Sequence, residues 1–196
     1  MREKMREKAL TLLKEHNKGE YRIFHALSVE GAMRYFAAQR KEDIEFWGTV
    51  GLLHDLDFEE NPGHHCEKNP EMLSAAGYSE SFIHAVQSHG FNTTTNVMPT
   101  LYMEKVLYTL NELVSLISES TLALPSQSIN NLTTGDVSEK FDIENFALYA
   151  NRKIILKGCE MLQMSFDDMV HETIQGMRTV AKELGLDGRH FNEIGF

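Results

Sequence analysis

The pattern that most constrains this chain is helical periodicity cut by glycine and proline. Apolar residues recur at three- and four-residue spacing in one segment after another. Alternating strand patterns are scarce, and no β–α–β rhythm appears. Ala9, Leu10, Leu12 and Leu13 form a short stripe ending near Asn17-Lys18-Gly19. Leu27, Met33, Tyr35 and Phe36 mark a face between Phe24 and Ala38, with Arg34, Gln39 and Arg40 opposite. The expected fold class is all-α, as a single compact helical domain.

Punctuation divides the rest. Asp43 can cap a helix through Phe46, Trp47, Val50, Leu52 and Leu53 to His54. Asn61-Pro62-Gly63 reads as a loop. One helix is expected from about His65 to Gly77, and another from Ser79, its N-cap, to Gly90. The polar loop FNTTTNVMPT leads to a long helix from Leu101 to Leu124, stopped by Pro125. Residues 126–136 read as a mobile surface loop. Two helices follow, about 142–163 and 166–184, the second with Ser165 as N-cap and Asp168 three residues on. One domain over 1–196 is expected, with a core at about 20–124 and the helices of 140–196 packed on it.

Composition removes several function classes. Nineteen Lys+Arg against 29 Asp+Glu give a formal charge of −10, which repels a polymeric phosphate backbone. Nucleic acid is therefore not an expected partner, although a bound metal still admits a small anion. No apolar run is long enough for a membrane span. The start, MREKMREKALTLLKEHNK, lacks the apolar core of a secretory signal, and a cytoplasmic location is expected. Cys66 and Cys159 have no CxxC spacing; they suggest a reducing compartment and argue against a thiolate zinc site. The oligomeric state is not legible.

The histidines carry the chemical signal. Six of the nine, His25, His54, His64, His65, His84 and His89, are crowded into the first half of the chain. A single histidine on a helix is usually a satisfied core or surface group. His16, His171 and His190 take that reading, and so does His84, which a helix would place on a different face from His89. His54-Asp55 differs, because it follows the apolar run Val50-Gly51-Leu52-Leu53. That position puts an imidazole and a carboxylate at the buried end of a helix, where a network or a cation must compensate.

The order His25, His54-Asp55, then segments carrying His65 and His89, resembles the HD-domain superfamily of metal-dependent phosphohydrolases. The stretch HALSVEGAMRYFA…FWGTVGLLHDLDFEENPGHHCEK…HAVQSHG…MEKVLYTLNELVSLI looks like a small bacterial subgroup of unassigned substrate. The resemblance spans roughly residues 20–185. It implies metal ligation by His25, His54 and Asp55, with Asp55 bridging if two ions bind. It further implies ligation by His65 and His89, with His64 an open alternative to His65. The last ligand expected is an aspartate in the fourth segment, where this chain has Asn111. An amide carbonyl there is a neutral and weaker ligand. Glu112 is about 100° round the helix and no easy replacement, whereas Glu104 shares the face and could assist through water.

The resemblance implies one or two divalent ions, with Mn, Fe, Ni, Co, Zn and Mg all open. It also implies a small phosphorylated partner, a nucleotide being favoured, attacked by metal-activated water. Transition-state charge then needs a cation. Lys68 and Arg152 are the candidates beside Asp55, with Arg152 in an ANRK segment similar to the subgroup's VNRE. A solvated surface lysine is the plain alternative for Lys68. Asp57 and Glu59 could orient ligand histidines or form a solvated acidic turn. Two other functions stay open: a non-catalytic, regulatory metal- or nucleotide-binding protein, favoured by Asn111, and a di-iron oxygenase.

Overall fold

Helix α1 (Arg2–His16) lies against α3 (Ile44–Leu53), and α2 (Glu20–Arg40) packs along α3. The computed structural model describes residues 2–188. Among these the regular structure is all helical, and the two β-bridges, Phe91 with Thr95 and Ser128 with Asp187, are isolated. The remaining helices are α4 (Asn69–Ala75), α5 (Glu80–Ser88), α6 (Tyr102–Leu122), α7 (Thr134–Phe141), α8 (Arg152–Leu162) and α9 (Phe166–Arg178), with a 3₁₀ turn at Pro62–His64. The all-α, single-domain expectation holds for the described residues, and His190 lies outside them.

Helix α2 organises the domain because it meets α3, α6 and α9. Its contact with α9 is close: a Cβ on Gly176 would stand 2.6 Å from the Ala32 Cα. Leu27, Val29, Met33 and Phe36 from α2 join Leu52, Leu53, Leu107 and Leu110 in one core. Glu30 is buried there, but not alone. Arg6 grips it through two hydrogen bonds of 2.7 and 2.8 Å, and Arg34 reaches it at 2.8 Å. Those bonds hold the Arg6 guanidinium firmly charged against the burial that opposes it. Breaking a buried pair of this kind by removing one partner typically costs about 3–5 kcal/mol.

Several boundaries match the sequence signals. The Asp43 side chain accepts from the Glu45 and Phe46 amides, Ser79 from Phe82, and Ser165 from Asp168. Gly77 closes the α4 segment with φ 86°. Other boundaries differ, each for a physical reason. The helix expected from His65 starts at Asn69, since Pro70 in its interior would strike the Cys66 carbonyl. Helix α9 ends at Arg178, and the chain continues in turns from Thr179.

The largest correction concerns residues 126–136 and the helix expected over 142–163. Ile129 and Leu132 are core residues, and the Arg178 guanidinium donates to the carbonyls of Ile129, Asn130 and Leu132. The segment is thus anchored, and its end already belongs to α7, capped by Thr133 with Asp136. Helix α8 begins at Arg152, where the Asn151 side chain accepts from the Lys153 and Ile154 amides. Between α7 and α8, Ala147 adopts φ 46°, outside the helical region.

Candidate metal centre

Helices α3 and α5 are both C-capped by histidine, and both caps serve the same purpose. His54 is the C-cap of α3 and His89 the C-cap of α5. The last turn of a helix leaves carbonyls without partners. His54 Nδ1 donates to the Gly51 carbonyl at 2.7 Å, and His89 Nδ1 donates to that of Val86 at 2.5 Å. A carbonyl can only accept, so each Nδ1 carries a proton, and in the neutral ring each Nε2 then presents a lone pair. His65 is set the same way by Asp57, whose Oδ1 lies 2.8 Å from its Nδ1. Asp57 is itself fixed by the Lys68 and Asn69 amides, and Asn69 ties back to the His54 carbonyl at 2.8 Å.

The three Nε2 atoms converge on one carboxylate oxygen. Asp55 Oδ1 lies 3.0 Å from His65, 3.3 Å from His89 and 3.4 Å from His54, yet it is buried without a hydrogen bond. The His65 and His89 Nε2 atoms face each other at 3.0 Å. These are acceptors gathered around acceptors, an arrangement that costs free energy unless something positive sits among them. His25 joins from α2, its Nε2 3.9 Å from Asp55 Oδ2. Asn111 joins from α6, with its Oδ1 3.2 Å from both His25 and His54 Nε2. The donor set suits a first-row divalent ion. Two groups of ligand atoms form, His25–His54–Asp55 and His65–Cys66–His89, each with its atoms within 4.8 Å of one another.

Without a cation, protons take over part of that role. Burial opposes charge on His65, but its contacts with the Asp55 and Asp57 carboxylates outweigh it and push the imidazole up to about 12. His89 is pushed up to about 10, burial again opposing and the Cys66 and Asp55 contacts prevailing. Burial dominates at His54 and lowers it to about 3. Asp55 is held well below the usual carboxylate range, its burial outweighed by the surrounding histidines. Cys66 lies 3.5 Å from His89 Nε2, and the histidines outweigh its burial to lower the thiol to about 6.

The sequence expectations separate cleanly. His25, His54, Asp55, His65, His89 and Asn111 meet in one buried cluster. His64 does not: it is largely exposed and pairs with Glu67, which resolves the alternative in favour of His65. Lys68 stays outside as well, its ammonium half exposed and 3.8 Å from Glu71. Arg152 is a structural residue, its guanidinium bound to the carbonyls of Phe141, Phe146, Ala147 and Ala150. Glu104 caps α6 by accepting from Thr100 and Leu101, and it binds His84 at 2.8 Å. Glu59 likewise accepts from the Lys18 and Gly19 amides, away from the cluster.

Sequence reasoning missed Arg22 and set aside Cys66 and Glu112. Cys66, read as unsuited to metal, is completely buried beside His65 and His89. Arg22 lies on α2 one turn before His25, with its Nη1 3.9 Å from Asp55 Oδ2 and its guanidinium 3.5 Å from the Phe58 ring centre. The one-turn spacing to His25 was the available signal. Glu112 accepts from the Asn111 amide at 3.4 Å and from the Asn151 backbone at 2.8 Å. Burial raises its carboxyl, and the Asp55 charge adds to the rise.

A cavity of about 690 Å³ has His25 on its wall and is otherwise largely apolar, with Ile23, Phe24, Leu122 and Leu184 among its lining residues. Tyr21 and Ser115, one turn beyond Asn111, also line it, and their hydroxyls are 3.4 Å apart. No helix among the described residues is long and apolar enough to cross a membrane. No protein-family model, curated protein or solved structure matches the chain.

Proposed function

We propose that this chain is an HD-superfamily hydrolase that cleaves a small phosphate ester at a metal centre formed by His25, His54, Asp55, His65, His89 and Asn111. The observation that carries the reading is Asp55 Oδ1, buried among three imidazole lone pairs with no hydrogen bond. A divalent ion bound there would lower the pKa of a water into the neutral range and polarise a phosphoryl oxygen. The ion is of the first-row class that accepts imidazole and carboxylate together, with Mn, Fe, Ni, Co and Zn ahead of Mg.

The chain's own groups supply the rest. Hydrogen bonds donated to Gly51, Val86 and Asp57 hold the three imidazoles in one direction, so the rings need not turn when a ligand arrives. Arg22, partly exposed at the rim, is the cation placed to meet a phosphoryl oxygen, in the role the sequence assigned to Lys68 and Arg152. Glu112, its carboxyl raised by burial, can hold a proton beside Asn111. The cavity next to His25 has the volume of a small-molecule site, which favours a nucleotide-sized ester over a polymer.

The test is hydrolysis of a panel of phosphomonoesters and phosphodiesters by metal-free protein supplemented with Mn, Ni or Co. Metal-dependent turnover that disappears in His54→Ala is expected. A panel hydrolysed by none of the three metal-loaded forms would overturn the hydrolase reading.

A further inference from the structure

We propose that Cys66 Sγ is a metal ligand, so that one half of the centre is a thiolate site for a thiophilic, zinc-class cation while the other half offers only nitrogen and oxygen. The inference rests on reading the cluster as a metal centre and adds to it a ligand and a metal preference.

The distances carry the argument. Cys66 Sγ lies 3.5 Å from His89 Nε2, and His89 Nε2 lies 3.0 Å from His65 Nε2. Both nitrogens stand close to Asp55 Oδ1, at 3.0 and 3.3 Å. Around a tetrahedral zinc ion with ordinary bond lengths, neighbouring nitrogens are separated by about 3.3 Å and a nitrogen and a sulfur by about 3.6 Å. Four of the six edges among these donors therefore already lie near those of one coordination tetrahedron, and Cys66 Sγ lies within 4.8 Å of the His65 ligand atom as well. The second, independent observation is Asp55 Oδ1, a buried acceptor aimed into this group and left without a hydrogen bond.

Local backbone explains how adjacent residues reach one ion. On a helix His65 and Cys66 would diverge, but Cys66 has φ 70°, in the left-handed region, just ahead of α4. Gly90 leaves room for the sulfur, since a Cβ there would stand 2.9 Å from Cys66 Sγ. The other half is chemically different. It consists of His25, His54 and Asp55, with the neutral Asn111 carbonyl within 3.2 Å of both histidines. Soft thiolate donors select zinc-class ions, whereas a nitrogen–oxygen set is less selective. Cys66 binds as the thiolate, and any proton still held by its sulfur or by the two Nε2 atoms leaves to solvent while each donor keeps the electron pair it gives.

Cobalt(II) titration of the metal-free full-length chain under reducing conditions reads both halves by absorption. Cobalt in a protein site gives visible ligand-field bands with any donors, whereas an intense near-ultraviolet charge-transfer band requires thiolate. The wild type and Cys159→Ser, in which Cys66 is the remaining cysteine, are expected to show both. Cys66→Ser is expected to keep visible bands, lose the near-ultraviolet band and bind zinc at least roughly 10–100-fold more weakly, the loss that removing even a partner behind a ligand typically brings. Visible bands without the near-ultraviolet band in Cys159→Ser would overturn the thiolate assignment and leave the metal centre standing. No cobalt spectrum in the wild type would overturn both.

Discussion

Two regions of this molecule gather electron-rich atoms at helix ends, and only one of them supplies its own cation. Between α7 and α8, carbonyls of Phe141, Phe146, Ala147 and Ala150 converge on the Arg152 guanidinium. Arg178 does the same for Ile129, Asn130 and Leu132. At the ends of α3 and α5, three imidazole lone pairs converge on Asp55 Oδ1, and the nearest guanidinium, that of Arg22, stands 3.9 Å from the carboxylate's other oxygen. A satisfied cluster of acceptors is a structural joint. An unsatisfied one, held rigid by hydrogen bonds from behind, is a place for a ligand. The same electrostatic demand thus yields architecture in one region and the candidate chemistry in the other.

The comparison can be broken most readily at Asp57, which touches no proposed metal ligand except through His65. Asp57→Asn is expected to weaken metal binding by about 10–100-fold, because His65 loses the acceptor that fixes its tautomer. Isothermal titration of a folded variant measures it, and an affinity within twofold of wild type would mean that the imidazole is not held from behind. Acidity probes the same point. In the metal-free protein His65 and His89 are pushed up to about 12 and about 10, so at neutral pH both hold protons that an incoming cation must displace. Affinity should therefore rise with pH, by about tenfold per unit for each proton released. Proton release in weakly buffered solution gives the count, and an affinity flat between about pH 6.5 and 9 would contradict the proton-occupied cluster.

The satisfied region should answer in the opposite manner. Arg152→Ala leaves the Phe146 and Ala150 carbonyls without their guanidinium donor, and a stability loss of about 2–4 kcal/mol is expected in urea unfolding. Its metal stoichiometry should stay at the wild-type value. Loss of metal with stability unchanged would reverse the assignment and restore Arg152 to the site.

What the sequence could and could not reveal follows from this division. His54 and Asp55 were legible because an apolar run marks where their helix stops, and a polar residue at such an end is exposed to what lies beyond it. His25, His65, His89 and Asn111 were legible through a family resemblance, and the geometry brings them to the same point. Arg152 was misread because the carbonyls it binds are set by the turn from Phe141 to Ala150, a path that local periodicity does not encode. Lys68 failed for a related reason: its backbone amide reaches Asp57 while its side chain leaves for Glu71. Cys66 was set aside because no second cysteine stands at CxxC spacing, and a helix from His65 would in any case send neighbouring side chains to different faces. Pro70 forbids that helix, and the left-handed turn at Cys66 returns the sulfur to the histidines.

The central claim, that the acceptor cluster exists to hold a cation the chain does not provide, is tested most directly by metal analysis of protein purified without chelator. Wild type and Arg152→Ala are expected to carry the same stoichiometric first-row metal, and His54→Ala to carry almost none. Metal-free wild-type protein that stays metal-free when metal is supplied, or unchanged metal content in His54→Ala, would contradict the account.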